Sequence, residues 1–440
     1  MKKWLILLAC LLPLKVEAKL LELSYFELDN GLKVAVIENH KAPVVLQMLY
    51  YNTGSINDPN GKGGIAHLLE HLMFRGTKQV PDGAFNRLTD EYGAENNAYT
   101  TYDETGYYEF SDISKLELMM ALESDRMKNL NLTEQAFLKE RGIVLEERMQ
   151  RFETNPVPLF YETMSRILWQ EHPLAKPVSG SVAEIKGLQL QDAKNFYQQW
   201  YRPDNALLVL SGDITPKEAK KVARKYYGGI QRGTTKLPQA EISAPKEANT
   251  TVVMKRPAIE KSRYVSYIRI EPNTLSHKDE AALGVMLEYL AGDDTSYLYE
   301  HLVYGKQKLL SADMGLSYTD RLGGALAFYT TPADENMRIE ELEVLVRETI
   351  AEGVAALQEE KVIQIKNQQL ATTVYLEENP NSAARFVGGM LMEGYTPDEI
   401  KNFDELILSI TKDDVLAAWD KVMKATVRVQ GMLVKENKGE

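Results

Sequence analysis

The 440-residue chain carries 51 lysines and arginines against 63 aspartates and glutamates, a formal charge of −12 at pH 7, with 44% hydrophobic residues and a single cysteine. So acidic a chain does not seek nucleic acid or anionic lipid, and it is long enough for two domains of ordinary size. With Cys10 alone no intrachain disulfide can form, so the fold must rest on its core.

Met1-Lys2-Lys3, the apolar run Trp4 to Leu14 and then Val16-Glu17-Ala18 read as a signal peptide over residues 1–18, which points to an exported protein with the bacterial periplasm as its compartment. A retained anchor is the alternative, but the run falls short of the ~20 residues that a spanning helix needs. Lipidation at Cys10 has too little apolar sequence before it. Cleavage after Ala18 removes three lysines and one glutamate, leaving a formal charge of −14 and no cysteine.

Tyr25 to Leu28, the turn Asp29-Asn30-Gly31 and Leu32 to Ile37 predict a hairpin, and Val44 to Asn52 a further strand. The next stretch, Gly63-Gly64-Ile65-Ala66-His67-Leu68-Leu69-Glu70-His71-Leu72-Met73-Phe74, reads as a helix buried nearly all round. At ~100° per residue, His67, Glu70 and His71 share one arc, and the apolar residues cover the rest. Two imidazoles at i and i+4 suit a metal that both rings bind, and the carboxylate between them suits a water that it can deprotonate. The order His-x-x-Glu-His reverses the commoner His-Glu-x-x-His of zinc proteases.

A catalytic zinc site needs a third protein ligand from another element and one open position. Tyr99 to Phe110 reads as a strand, followed by helices over Ser114 to Asn129, Thr133 to Phe152, Val157 to Trp169 and Leu190 to Trp200. In the second of these helices Thr133 is the N-cap, and Ala136, Phe137, Ile143 and Val144 form the apolar stripe. Glu140 and Glu147 fall inside that stripe and Glu146 outside it. Buried carboxylates need a partner, so Glu140 and Glu147 are both candidates, one as third ligand and one as its support.

A strand over Asn205 to Ser211 and a helix over Pro216 to Tyr227 close the first half. Residues 228–249 change to Gly, Thr, Pro, Lys and Ala without periodicity and form the expected linker. The order then restarts with strands at Thr250 to Lys255 and Tyr264 to Glu271 and a helix over Lys278 to Ala291. Aligning Gly76 with Gly292 sets Leu283, Met286 and Leu287 opposite His67, Glu70 and His71. The expected architecture is α+β: two homologous domains, 19–227 and 250–440, each a mostly antiparallel sheet packed by helices. The second domain is a degenerate repeat without the metal set.

His67-Leu68-Leu69-Glu70-His71, with Glu147 inside Glu140-Arg141-Gly142-Ile143-Val144-Leu145-Glu146-Glu147, resembles the pitrilysin/insulysin metallopeptidases. The resemblance is greatest to the branch of mitochondrial processing peptidase and its bacterial relatives. Asn97-Ala98-Tyr99-Thr100 looks like that family's Asn-Ala-x-Thr segment. The resemblance implies one Zn²⁺ per chain, bound by His67, His71 and Glu147, with Glu70 as general base and Glu140 supporting the site. It also implies an edge strand, with Asn97, Ala98 and Tyr99 as substrate-binding residues, onto which an extended peptide adds through its backbone. The implied activity is a zinc metalloendopeptidase, and the alternative is a non-catalytic assembly subunit of the same fold, as occurs in respiratory complexes. The family usually presents an Arg and, seven residues on, a Tyr opposite the zinc; here these positions are Val303 and Leu310. The resemblance therefore implies a heterodimer in which a homologous partner subunit supplies the Arg/Tyr pair.

Overall fold

The computed structural model describes residues 22–243 and 249–436. The segment 1–18 read as a signal peptide, and residues 244–248 of the expected linker, lie outside the described residues. β1 (Leu23–Glu27) and β2 (Lys33–Glu38) form the expected hairpin, its turn made possible by Gly31 at φ +89°. β3 (Val44–Tyr51) leads to α1 (Ile65–Leu72). The single strand expected over Tyr99 to Phe110 is instead a second hairpin, β4 (Glu95–Thr100) with β5 (Thr105–Asp112). Its turn needs neither Gly nor Pro, because the Thr101 hydroxyl accepts the backbone N–H of Glu104 at 3.1 Å and of Asp103 at 3.4 Å. Helices α2 (Glu134–Arg148) and α3 (Pro156–Trp169) follow, and β6 (Ala206–Gly212) completes the first sheet.

The second half supplies β7 (Asn249–Arg256), β8 (Arg263–Ile270), α4 (His277–Ala291), β9 (Leu309–Thr319), β10 (Gly323–Pro332), α5 (Pro380–Glu393) and β11 (Arg428–Lys435). The sheets run β1-β2-β6-β3-β5-β4 and β7-β11-β8-β10-β9. Without β1 they repeat strand for strand. β2 and β7 each lie parallel to the last strand of their sheet in sequence, β6 or β11, and every other pairing is antiparallel. This is the two-domain, mostly antiparallel architecture expected. β4 and β9 are left as free edges, and residues from both line one cleft of 1760 Å³ between the halves.

Each half covers one face of the other's sheet. On α3, Phe160, Met164 and Leu168 bury against Val265, Val429 and Leu433 of the second sheet, where Gly431 leaves room for the Met164 and Phe160 side chains. On α5, Ala383, Ala384 and Val387 bury against Ala35, Leu46, Met48 and Val209 of the first sheet, and a Cβ at Gly388 would strike the Tyr50 ring. At about 1.5–3 kcal/mol per large apolar side chain buried, this exchange holds the two halves on either side of the cleft. No helix among the described residues is long and apolar enough to cross a membrane.

Two readings of α2 change. Its Thr133 cap is present, accepting the Ala136 N–H at 3.2 Å, but the α-helix ends at Arg148 and continues as a π-helical turn over Met149–Glu153. The buried face is Phe137, Glu140, Val144 and Arg148, whereas Ile143 is 39% exposed. The buried face lies rotated from the expected stripe toward Arg148, whose guanidinium is taken inside by its pairing with Glu153 and Glu162. That rotation turns Ile143 to solvent.

Candidate metal centre

The centre is built first by fixing α1. Five of its eight residues, Ile65, Ala66, Leu68, Leu69 and Leu72, are fully buried, and its N-terminus is held by the buried Asp58. That carboxylate accepts the Gly64 N–H at 2.7 Å and the Ala66 N–H at 3.1 Å, using donors that no helical carbonyl satisfies. Gly64 stands at φ +85°. A side chain there would be strained and would meet the Ser179 carbonyl.

On the remaining side of α1, His67 and His71 stand with ring centroids 4.9 Å apart and planes at 84°. α2 brings Glu147 to them: its Oε2 lies 3.6 Å from His71 Nε2 and 3.9 Å from His67 Nε2. One ligand atom from each of His67, His71 and Glu147 lies within 4.8 Å of the others. Three ligands at about 2.0–2.1 Å from a tetrahedral zinc stand about 3.4 Å apart, so the Glu147 pairs at 3.6 and 3.9 Å are close to the spacing the ion needs. The second oxygen of Glu147 is occupied by Arg151 at 2.6 Å, which leaves Oε2 for the centre.

Protonation fits as well. Burial, with the neighbouring His71 and Arg151, pushes the His67 pKa down to about 3, so this imidazole is neutral and has a lone pair to give. Its Nδ1 is buried without a hydrogen-bond partner among the described residues. For His71 burial pulls downward, but Glu140, Glu70 and Glu147 outweigh it and the pKa rises. Glu140 lies 3.3 Å from His71 Nδ1 and is itself ion-paired to Arg75 at 2.7 Å. His71 is thus oriented by a buried carboxylate, an arrangement typical of metal-binding imidazoles.

Glu70 points into the cleft, and burial raises its pKa against the pull of the Thr100 hydrogen bond. The Thr100 hydroxyl donates to Glu70 Oε2 at 2.6 Å. Asn97, Ala98 and Tyr99 all lie on the edge strand β4 and line the cleft. The Asn97 amide oxygen accepts the Ala98 N–H at 2.8 Å, and the Tyr99 hydroxyl donates to Glu104 at 2.7 Å. Sequence reasoning misses Arg75 and Arg151 at the site, and it places Thr100 in the Asn-Ala-x-Thr segment without a role beside Glu70. Each was within reach of sequence rules. Arg75 and Arg151 stand four residues after His71 and Glu147, and Thr100 shares a strand face with Ala98.

Residues 33–182 match the family model described as insulinase (peptidase family M16), and residues 187–369 match the M16 inactive domain. The chain is 27% identical over 409 residues to the zinc protease PqqE of Helicobacter pylori, covering 91% of this chain and 90% of that one. It is 27% identical over 219 residues to a probable mitochondrial-processing peptidase subunit beta of Schizosaccharomyces pombe, half of this chain and 47% of that one. In fold it matches the crystal structure of a protease from Helicobacter pylori with a TM-score of 0.85 at 24% identity, over 94% of this chain and 99% of that one. The chain belongs to the insulinase (M16) family of peptidases.

Proposed function

We propose that this chain is a zinc-dependent endopeptidase that hydrolyses extended or unfolded peptides, and that it is the zinc-bearing member of a two-chain enzyme. The observation that carries this reading is the convergence of His67, His71 and Glu147 beside Glu70, all on the wall of the 1760 Å³ cleft. His67, His71 and Glu147 would hold one Zn²⁺ per chain, which when bound polarises a peptide carbonyl and acidifies a water. Glu70 accepts the water proton and delivers it to the leaving amine. Glu140 keeps the His71 ring in place. β4 offers a free edge on which a peptide backbone can pair whatever its side chains, which selects extended chains over folded ones.

In this reading the domain over 19–227 carries the chemistry and that over 250–440 encloses the substrate, with 228–249 between them. The basic and apolar pattern of residues 1–18 supports export to the periplasm. The two-chain arrangement is supported by what faces the cleft. Val303 packs against the second core and Leu310 is 45% exposed, and neither these nor the neighbouring Tyr304 and Lys306 are among the residues lining the cleft. The Arg/Tyr donors would then come from a homologous partner subunit. A missing donor to transition-state charge costs about 3 kcal/mol.

One experiment tests both parts. The purified chain and its E70Q and E147Q variants are analysed for zinc and assayed on unfolded peptides, alone and with the candidate partner added. E70Q should keep one zinc and lose cleavage, and E147Q should lose much of both. A fully active E70Q would end the catalytic assignment, and full activity of the unmixed chain would end the two-chain assignment.

A further inference from the structure

We infer that Thr100 is a positioning residue for Glu70, resting on the reading of Glu70 as general base. Among the described residues the Thr100 hydroxyl is the only hydrogen-bond partner of the Glu70 carboxylate, at 2.6 Å. A glutamate has three rotatable bonds, and one on the wall of an open cleft with no hydrogen bond to hold it has several positions open to it. A general base acts only within hydrogen-bond reach of the proton it takes, so an untethered carboxylate loses rate in proportion to the time spent elsewhere. Thr100 fixes one oxygen and leaves the other to face the water.

The tether is itself rigid. Threonine is stiff about its first side-chain bond, and its strand is pinned beside it. Thr100 pairs with Thr105 in the β4–β5 ladder, and the Thr105 hydroxyl donates to the Thr53 carbonyl at 2.9 Å. Thr101 closes the adjoining turn through its own hydroxyl. The donor therefore has the positional accuracy of the sheet. Alternation along β4 puts Ala98 and Thr100 on the face toward α1, while Tyr99 on the other face joins the core beneath α5. One short strand thus carries both the edge that a peptide would pair with and the hydroxyl that holds the base, so substrate and base are placed by the same element.

Valine matches threonine in shape and lacks the hydroxyl, which makes T100V the discriminating variant and T100S its rescue. T100V should keep one zinc per chain and the parent thermal midpoint, hold KM within about 3-fold and lose about 10- to 100-fold in kcat. T100S should recover kcat to within about 3-fold of the parent. An unchanged kcat in T100V, measured beside an active parent and an inactive E70Q, overturns the inference and leaves the peptidase reading standing. Loss of zinc or of the thermal midpoint in T100V, or failure of T100S to recover, assigns Thr100 to packing and overturns it as well. A parent chain that binds zinc but cleaves no peptide in any combination removes the reading and the inference together.

Discussion

Helices α1 and α4 hold the same place in the two halves, each following the matching strand β3 or β8 and preceding the edge strand β4 or β9. At the aligned positions α4 carries Leu283 and Met286, both fully buried, and the half-buried Leu287, where α1 carries His67, Glu70 and His71 on the cleft wall. One helix closes its face with hydrocarbon. The other leaves imidazole and carboxylate toward the opening. Both folds stand on the same ladder of strands, so the candidate metal set is not what holds the first half together. It is a site placed on a scaffold that works without it.

The sharpest way to break this comparison is to write the second helix into the first. The triple variant H67L/E70M/H71L should fold, bind no zinc and lose at least ~10³-fold in peptide cleavage, because two of the proposed ligands and the proposed base are gone. Its thermal midpoint should equal or exceed that of the metal-free parent, since three half-buried polar groups give way to apolar ones of similar size. Thermal scans beside zinc analysis check this. A collapsed variant would show that the histidines are part of the core.

A smaller effect sharpens the other side. Glu280 on α4 lines the cleft with no ion pair among the described residues. Burial, then Glu393, Asp320 and Asp279, push its pKa up to about 8. A carboxyl so raised holds a proton that the unfolded chain has already released. Its contribution to stability is therefore fully present below about pH 4.5 and is lost as pH rises through about 8. E280Q cannot ionise, so its thermal midpoint should exceed the parent's by about 1–3 °C at pH 9 and draw level near pH 4.5. A gap that does not change with pH would show that Glu280 is solvated like any surface glutamate.

Much of the centre was legible in the sequence, because buried polar residues at helical spacing leave few physical options. His67, Glu70 and His71 could be placed on one arc, and Glu140 and Glu147 on one side of α2, from period alone. The same method put Ile143 in the core, since a hydrophobic index does not know that Arg148, paired with Glu153 and Glu162, takes a place on the buried face. The stretch Tyr99 to Phe110 reads as one strand because the β4–β5 turn is made by a threonine hydroxyl rather than by Gly or Pro. The exchange of α3 and α5 between the sheets was not legible at all. It depends on Gly388 meeting Tyr50 and Gly431 meeting Met164, contacts that join residues hundreds of positions apart.

The claim that one half holds a metal and its repeat does not is tested most directly by anomalous scattering at the zinc edge from crystals of the full chain grown with zinc. The account predicts a single strong peak among His67, His71 and Glu147 and none beside Leu283, Met286 and Leu287. No peak at the histidines under saturating zinc, or a peak elsewhere with that cluster empty, would contradict it.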